Sequence, residues 1–193
     1  SDKKKSLGII AASAGNHAQG VALACKKLNI KCNIVMPVTA PENKLNNVKR
    51  LGAKVTLHGE NLAHALVKAS KMSKQNKYTF VHPFDDPFTI AGQGTIGKEI
   101  LDDEIDYDVI FVPVGGGGLL AGISAWVKQH KKKIKIIGVE VNDSACLTEA
   151  LKSNKRVMLE RVGLFADGVA VSQVGKNNFC LLYTSDAADE VSC

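Results

Sequence analysis

The chain has 193 residues, of which 45% are hydrophobic and 23% are charged, and its formal net charge is +6. This composition is ordinary for a globular protein, and no apolar run approaches the roughly 20 residues that a membrane-spanning helix needs. The lysines are scattered with few aromatic neighbours, a pattern typical of a solvated surface rather than of a nucleic-acid groove. We therefore expect neither a membrane nor a nucleic acid as a partner.

Short apolar segments alternate with helical patterns along the chain. The apolar runs predict strands over residues 7–12, 32–38, 54–58, 78–81, 108–114 and 135–141. Helical spacing predicts helices over residues 18–28, 41–51, 61–74, 89–101, 119–130 and 144–152. This alternation indicates an α/β fold in which helices flank parallel sheets in three layers.

Two prolines within residues 82–88 mark a crossover between two lobes. We expect residues 1–80 to form the smaller lobe and residues 81–179 to form part of the larger one. Residues 180–193 fit neither lobe, because their sequence resembles the translation of a sequencing adapter; a genuine acidic helix is the alternative. We expect this tail to be non-native, and its presence in the resequenced locus would contradict that expectation.

The five cysteines show neither paired nor metal-like spacing. Cys25, Cys32 and Cys146 stand in apolar contexts, which is typical of reduced, buried thiols in a cytoplasmic protein. No metal site is expected from them.

Four consecutive glycines, Gly115, Gly116, Gly117 and Gly118, separate a predicted strand from a predicted helix. Glycines lose much backbone freedom on folding, so their use here favours a backbone that comes very close to a ligand. The free N–H groups of the following helix suit a bound phosphate. A flexible turn is the alternative.

The loop of residues 13–17 has the same design, since a strand precedes it and a helix follows it. The N–H groups of that helix could hold a carboxylate. Asn16 could donate its side-chain amide to an aromatic hydroxyl or phenolate, or it could serve as a helix N-cap. His17 is interpreted as a packed or capping residue without a catalytic role.

Three motifs occur together in order: residues 12–22, Ala-Gly-Gln-Gly-Thr at 91–95, and Val-Pro-Val-Gly-Gly-Gly-Gly-Leu at 112–119. They resemble the fold-type II pyridoxal 5′-phosphate enzymes, and specifically the threonine dehydratase group. Residues 143–147 and 161–171 resemble the biosynthetic branch of that group. The resemblance covers residues 7–179.

The resemblance implies a role for each of the two loops. The glycine loop, residues 115–118, would hold the cofactor phosphate together with Leu119. Asn16 would contact the ring hydroxyl of the cofactor, while Ser13, Ala14 and Gly15 would line the pocket for the substrate carboxylate. Residues 1–80 would then belong to the smaller lobe, which binds cofactor and substrate, and residues 81–179 to the larger, pyridoxal-phosphate-binding lobe.

The activity implied by the resemblance is a lyase reaction. L-Threonine, and L-serine as well, would give 2-oxobutanoate or pyruvate and ammonia, the first step of isoleucine biosynthesis. The family further implies a cytoplasmic homotetramer that isoleucine inhibits through a C-terminal domain.

The sequence departs from the family pattern in its lysines. The lysine that forms the Schiff base with the cofactor lies in a Ser-x-Lys-x-Arg-Gly-like segment, and no lysine before the first loop has that context. We therefore expect this lysine upstream of Ser1. The chain would then be an inactive internal fragment without a catalytic residue of its own.

Three alternatives stand beside this interpretation. A serine racemase or another fold-type II enzyme is the first, although Ala14 replaces the serine that racemases use for proton transfer and so favours elimination. A dinucleotide-binding module is the second, because residues 92–97 match Gly-x-Gly-x-x-Gly; close helix packing is the favoured explanation of those glycines. A divalent cation at Asp167 is the third, and a simple turn residue beside Gly168 is favoured instead.

Overall fold

The computed structural model describes residues 7–103, 105–163, 165–184 and 190–192. The chain divides into two compact units, Ser1–Pro83 and Phe84–Cys193. The strands are β1 Ile9–Ala12, β2 Cys32–Met36, β3 Lys54–Leu57, β4 Thr79–Phe80, β5 Val109–Pro113, β6 Lys135–Val139 and β7 Glu190–Ser192. The helices are α1 Asn16–Lys27, α2 Glu42–Arg50, α3 Leu62–Asn76, α4 Pro87–Asp102, α5 Gly118–His130, α6 Cys146–Lys152 and α7 Lys176–Thr184.

The first unit is a parallel sheet with strand order β3-β2-β1-β4. All of β2 is buried, as expected for a parallel strand that is covered on both faces. Helices α1 and α2 cover one face, and α3 covers the other, where Ala65 and Ala69 let the helix approach closely. The predicted three-layer α/β arrangement is therefore confirmed for this unit.

The second unit contains a parallel sheet with strand order β5-β6-β7. Its core includes alternate residues of the two first strands, such as Ile110, Val112 and Ile136, packed with α5 and α6. The residues between them point the other way, and Phe111 is 66% exposed. Among the described residues, helices thus cover one face of this sheet more completely than the other.

Helices α4 and α5 pack against each other through glycines. A Cβ atom added to Gly94 would lie 3.2 Å from the Gly122 carbonyl oxygen, and one added to Gly122 would lie 2.4 Å from the Ile90 carbonyl oxygen. This confirms close helix packing as the role of Gly94 and Gly97 in the 92–97 motif. The dinucleotide interpretation was wrong, because the motif lies inside a helix and not at a strand-to-helix turn.

Helix α4 begins two residues earlier than the pattern predicts. Asp86 is its N-cap, with Oδ1 accepting from the Phe88 and Thr89 N–H groups at 2.9 and 3.1 Å. Pro87 occupies the first turn, where its missing N–H group is tolerated. Pro83 and Pro87 were predicted to mark a crossover between two lobes; the division between the two units falls after Pro83, and Pro87 starts a helix.

Helix α7 was not predicted. Its N-terminal part follows Gly175, and it buries Leu182 in the core of the second unit. The backbone of β7 pairs with β6, while residues 185–189 and 193 lie outside the described residues. Whether residues 180–193 are native stays a prediction.

The buried thiols were predicted correctly. Cys25, Cys32 and Cys146 are free and buried, and burial raises the pKa of Cys32 and of Cys146 to about 12. Both thiols therefore stay protonated at neutral pH. Across the described part of the chain, no helix combines the length and the apolar character needed to cross a bilayer.

Candidate functional site

The glycine loop lies between the end of β5 and the start of α5. Each of its first three carbonyl groups accepts a hydrogen bond from the surrounding protein. The donors are the Cys146 thiol, 3.5 Å from the Gly115 oxygen; Asn178 Nδ2 and the Gly175 N–H, 2.8 and 3.0 Å from the Gly116 oxygen; and the Ala121 N–H, 2.9 Å from the Gly117 oxygen. The protein therefore holds the carbonyl side of the loop.

The N–H groups of residues 115–120 have no acceptor among the described residues. In a trans peptide the N–H group points opposite to the carbonyl, so the held carbonyls turn the following N–H groups to the other side of the loop. The positive end of the α5 macrodipole lies at the same place. Open N–H groups at the start of a helix are a geometry that suits an anion such as a phosphate.

The structure gives a different reason for the glycines than the one expected from sequence. A Cβ atom added to Gly116 would lie 2.3 Å from the Phe84 ring, and one added to Gly118 would lie 2.7 Å from the Phe84 carbonyl oxygen. Gly117 has φ +88°, which is strained for other residues. Protein neighbours alone thus exclude side chains from this loop.

Three residues that contact the glycine loop are not marked by any sequence motif. Phe84, Cys146 and Asn178 are each at least 31 positions away from the glycine that they contact. No short motif joins them to the glycines, because only the folded chain brings them together.

The buried carboxylate of Glu140 binds the start of α6, the helix whose first residue contacts the glycine loop. Its two oxygens accept from the Leu147 and Thr148 N–H groups at 2.9 and 2.7 Å. This bonding satisfies free N–H groups at the start of α6, the helix that begins with Cys146. Glu140 thereby helps to fix the thiol that contacts the Gly115 carbonyl.

The asparagine loop, residues 13–17, connects β1 to α1. Ser13 is buried, and its Oγ accepts from the Gly15 N–H at 3.0 Å. Asn16 is the first residue of α1 and is exposed, whereas Gly15 is the N-cap. The N-cap alternative for Asn16 was therefore wrong, which leaves its side-chain amide available to a ligand.

The start of α1 also presents N–H groups that are open to an anion. Among the described residues, no acceptor is bonded to the N–H groups of residues 16–18. A Cβ atom added to Gly15 would meet nothing closer than Ser13 Oγ at 4.0 Å. The protein itself therefore does not require glycine at position 15, in contrast to Gly116.

His17 is partly buried, and its Nε2 lies 3.2 Å from the Val81 carbonyl oxygen. Burial lowers the pKa of His17; the hydrogen bond to the Val81 carbonyl raises it by less, and the nearby charge of His82 lowers it further. The neutral ring can donate from Nε2 to the carbonyl. This confirms the interpretation of His17 as a packed residue.

The lowered pKa of His17 predicts a loss of stability in acid. Below its ordinary pKa of about 6.5, the unfolded chain binds a proton that the folded chain resists, so the free energy of unfolding falls as the pH decreases. The stabilisation is complete above pH 6.5. Thermal unfolding at pH 7.5 and 5.5 should therefore show a smaller acid-induced decrease for His17→Gln than for the unchanged protein.

A matched control is His58→Gln, which alters an exposed histidine of the same unit. It should leave the acid-induced decrease as large as in the unchanged protein. An equal decrease in the His17 variant would contradict the prediction.

Asp167 lies within a turn over residues 165–169, as expected. Among the described residues, no group of three or more His, Cys, Asp or Glu side chains is placed to hold a metal ion.

Comparisons with known proteins point to the same chemistry. A family model described as "Pyridoxal-phosphate dependent enzyme" matches residues 1–192. The biosynthetic L-threonine dehydratase IlvA of Pasteurella multocida is 52% identical over 188 residues, which are 96% of this chain and 37% of the relative. The mitochondrial threonine dehydratase of Schizosaccharomyces pombe is 53% identical over 184 residues, 93% of this chain and 30% of the relative.

Solved structures are similar over nearly the whole chain. Processed threonine deaminase isoform 2 from Solanum lycopersicum has a TM-score of 0.89 at 46% identity, covering 95% of this chain and 53% of that one. Maize serine racemase has a TM-score of 0.92 at 29% identity, covering 99% and 57%. The present chain spans about a third of the length of the curated relatives it matches. It belongs to the family of pyridoxal-phosphate dependent enzymes.

Proposed function

We propose that this chain carries the phosphate-binding loop and the carboxylate-binding loop of a threonine dehydratase. The reaction would convert L-threonine to 2-oxobutanoate and ammonia, and L-serine to pyruvate and ammonia. The observation that carries the proposal is the glycine loop, whose carbonyls are bonded to the protein while its N–H groups are open. The relatives that are about 50% identical are named threonine dehydratases.

The glycine loop fits the phosphate of pyridoxal 5′-phosphate. Gly115, Gly116, Gly117, Gly118 and Leu119 would hold the phosphate through their N–H groups. A phosphate carries three strong acceptor oxygens and close to two negative charges at neutral pH, which the start of α5 would stabilise. The loop would thereby fix the cofactor in one orientation.

The asparagine loop would hold the other groups of the reacting assembly. Ser13, Ala14 and Gly15 would line the pocket for the substrate carboxylate, and the small Ala14 and Gly15 leave room for it. The exposed amide of Asn16 would donate to the ring hydroxyl of the cofactor. Orientation by these contacts would set which bond of the substrate can react.

When bound, pyridoxal phosphate supplies an electron sink that stabilises negative charge at the substrate Cα. Ala14 contributes no proton donor or acceptor beside that carbon, so it would not assist racemisation. The residues of the two loops would bind and orient the cofactor and the substrate.

Serine racemase is the second candidate, favoured by the backbone similarity to the maize enzyme. The lower sequence identity of 29%, against 46% for the tomato deaminase, weighs against it. Ala14 weighs against it as well, since a hydroxyl at this position would be needed for proton transfer on the opposite face.

The proposal is tested with the protein encoded by the complete gene. L-Threonine should yield 2-oxobutanoate and ammonia in equal amounts, measured by chromatography of the keto acid and an ammonia assay. L-Serine should yield pyruvate and no D-serine on a chiral column. Formation of D-serine without keto acid would support the racemase, and no reaction with either substrate would overturn the proposed function.

Several further properties are proposed from the family resemblance. Residues 1–80 and 81–179 would serve as the smaller and larger lobes, and the protein would be a cytoplasmic homotetramer inhibited by isoleucine. Size-exclusion chromatography with light scattering, with and without isoleucine, tests the assembly.

Substitution of Asn16 by alanine should weaken cofactor binding without affecting stability. The side chain is exposed and makes no capping hydrogen bond, so its loss removes only a contact to the ligand. A hydrogen bond to a charged phenolate is worth about 1.5–3 kcal/mol, which corresponds to a roughly 10–100-fold loss of affinity. Fluorescence titration of the apo-protein measures it.

The probe should be pyridoxamine 5′-phosphate, because it has no aldehyde to condense with the many surface lysines. The Asn16→Ala substitution should weaken the binding of pyridoxamine, which lacks the phosphate, by the same factor. The reason is that both molecules carry the ring hydroxyl. Asn46→Ala, at an exposed asparagine in α2, serves as the control and should change neither affinity. Equal binding by the Asn16 and Asn46 variants would remove Asn16 from the site.

A further inference from the structure

We infer that Asn178 is a positioning residue that orients the N–H groups of the glycine loop toward a bound phosphate. The inference rests on the proposed function of that loop. Asn178 lies in the first turn of α7 and is completely buried. Its side chain reaches the loop from the side opposite to the open N–H groups.

The side-chain amide of Asn178 makes two hydrogen bonds as a donor. Nδ2 lies 2.8 Å from the Gly116 carbonyl oxygen and 2.9 Å from the Phe84 carbonyl oxygen. An asparagine amide has two N–H groups, so one side chain links the loop to the segment that packs beneath it. The two carbonyl acceptors also fix which end of the amide is the nitrogen.

The bond to the Gly116 carbonyl determines the orientation of the next N–H group. The Gly116 carbonyl and the Gly117 N–H belong to one planar trans peptide and point in opposite directions. Glycines on both sides of that peptide would otherwise allow it to rotate easily. Asn178 and the Gly175 N–H together hold the carbonyl, which directs the Gly117 N–H to the anion-binding side.

Asn178 is itself held by a carboxylate. The two oxygens of Asp85 accept from the N–H groups of Lys176 and Asn177, each at 2.8 Å. These are free N–H groups at the start of α7, so Asp85 anchors the turn that carries Asn178. Phe84, the residue before Asp85, places its ring against Gly116.

The side-chain oxygen of Asn178 indicates that this residue does more than fill space. Its Oδ1 is buried without a hydrogen-bond partner among the described residues. An unsatisfied buried acceptor is destabilising, and a leucine of similar shape would avoid it. A polar side chain at this position is explained by what its donors do to the loop.

The test compares ligands with and without a phosphate. Apo-protein from the complete gene is titrated with pyridoxamine 5′-phosphate, with pyridoxamine and with inorganic phosphate. Asn178→Leu keeps the size of the side chain and removes both donors. Asn177→Leu is the matched control, because Asn177 is the adjacent residue of the same type and is exposed.

In Asn178→Leu, we expect a roughly tenfold loss of affinity for the two phosphate-bearing ligands and unchanged affinity for pyridoxamine. Asn177→Leu should change none of the three. Asn178→Thr, which retains one donor, should recover part of the loss. If Asn178 had only a structural role, the Asn178→Leu protein would bind all three ligands more weakly. That result would overturn the inference.

The outcomes separate this inference from the proposed function. If the unchanged protein does not prefer pyridoxamine 5′-phosphate over pyridoxamine, the phosphate assignment of the loop fails. If the unchanged protein shows this preference and Asn178→Leu prefers pyridoxamine 5′-phosphate over pyridoxamine to the same extent, only the role of Asn178 fails. Should Asn178→Leu not fold, Asn178→Ala gives the same comparison; failure of both to fold would also overturn the inference, since the residue would then act in folding.

Discussion

Replacing Gly116 by valine should strongly weaken binding of pyridoxamine 5′-phosphate. The new Cβ atom would lie 2.3–2.6 Å from three atoms of the Phe84 ring, far inside contact distance, and valine adds two further carbons. The ring cannot simply move away, because the Phe84 carbonyl is bonded to Asn178 and lies beneath Gly118. The loop must therefore shift, and its N–H groups lose their alignment.

The expected loss of affinity is roughly 5- to 100-fold. Overpacking typically costs about 1–3 kcal/mol, and each 1.4 kcal/mol that is taken from binding corresponds to about a factor of ten in affinity. Fluorescence titration measures the loss, and circular dichroism verifies that the variant is folded. Unchanged affinity in a folded Gly116→Val protein would remove the loop from the phosphate site.

A double substitution identifies the cause of that loss. If the Phe84 ring is the obstacle, Gly116→Ala alone should weaken binding, and Phe84→Ala in the same chain should restore part of the affinity. The two residues are in contact, so their effects are expected to be non-additive. Simple additivity of the two changes would show that another contact of position 116 is responsible.

The order of strands and helices could be predicted because it depends on local patterns. Buried parallel strands are short apolar runs, and each helix carries its own periodicity, so β2 and α5 are visible in the sequence alone. The two loops were also visible, because the glycines of one strand-to-helix turn and the Asn16 segment of the other each stand together in sequence.

The reasons for individual residues could not be predicted, because they depend on distant contacts. The glycine loop looked like a surface made for a ligand, yet the Phe84 ring and the Val169 backbone occupy the space where its side chains would be. Asn178 is 62 positions from the carbonyl that it holds. The start of α4 was missed for a local reason, since Asp86 and Pro87 form a helix start that resembles a loop.

Replacing Gly122 by alanine should destabilise the second unit strongly. The added Cβ would lie 2.4 Å from the Ile90 carbonyl oxygen and 2.8 Å from the Gly94 nitrogen. Both are backbone atoms of α4, so relief requires the two helices to separate. Separation would displace α5, whose first turn carries the open N–H groups of the glycine loop.

The size and sign of the effect follow from two opposing contributions. Alanine is favoured over glycine in a helix by about 1 kcal/mol, whereas overpacking at the helix crossing costs about 3 kcal/mol. Gly122→Ala should therefore lower the free energy of unfolding by about 2 kcal/mol, measured by urea denaturation.

Gly92→Ala is the matched control, because Gly92 also lies in a helix of this pair but an added Cβ would meet no atom within 4 Å. Only the propensity contribution applies there, so the free energy of unfolding should rise by about 1 kcal/mol. Opposite signs for the same chemical change at positions 92 and 122 would demonstrate that the helix crossing, and not helix propensity, fixes glycine at position 122. A stabilising Gly122→Ala substitution would mean that α4 and α5 can separate freely, and the position of the glycine loop would then not depend on their packing.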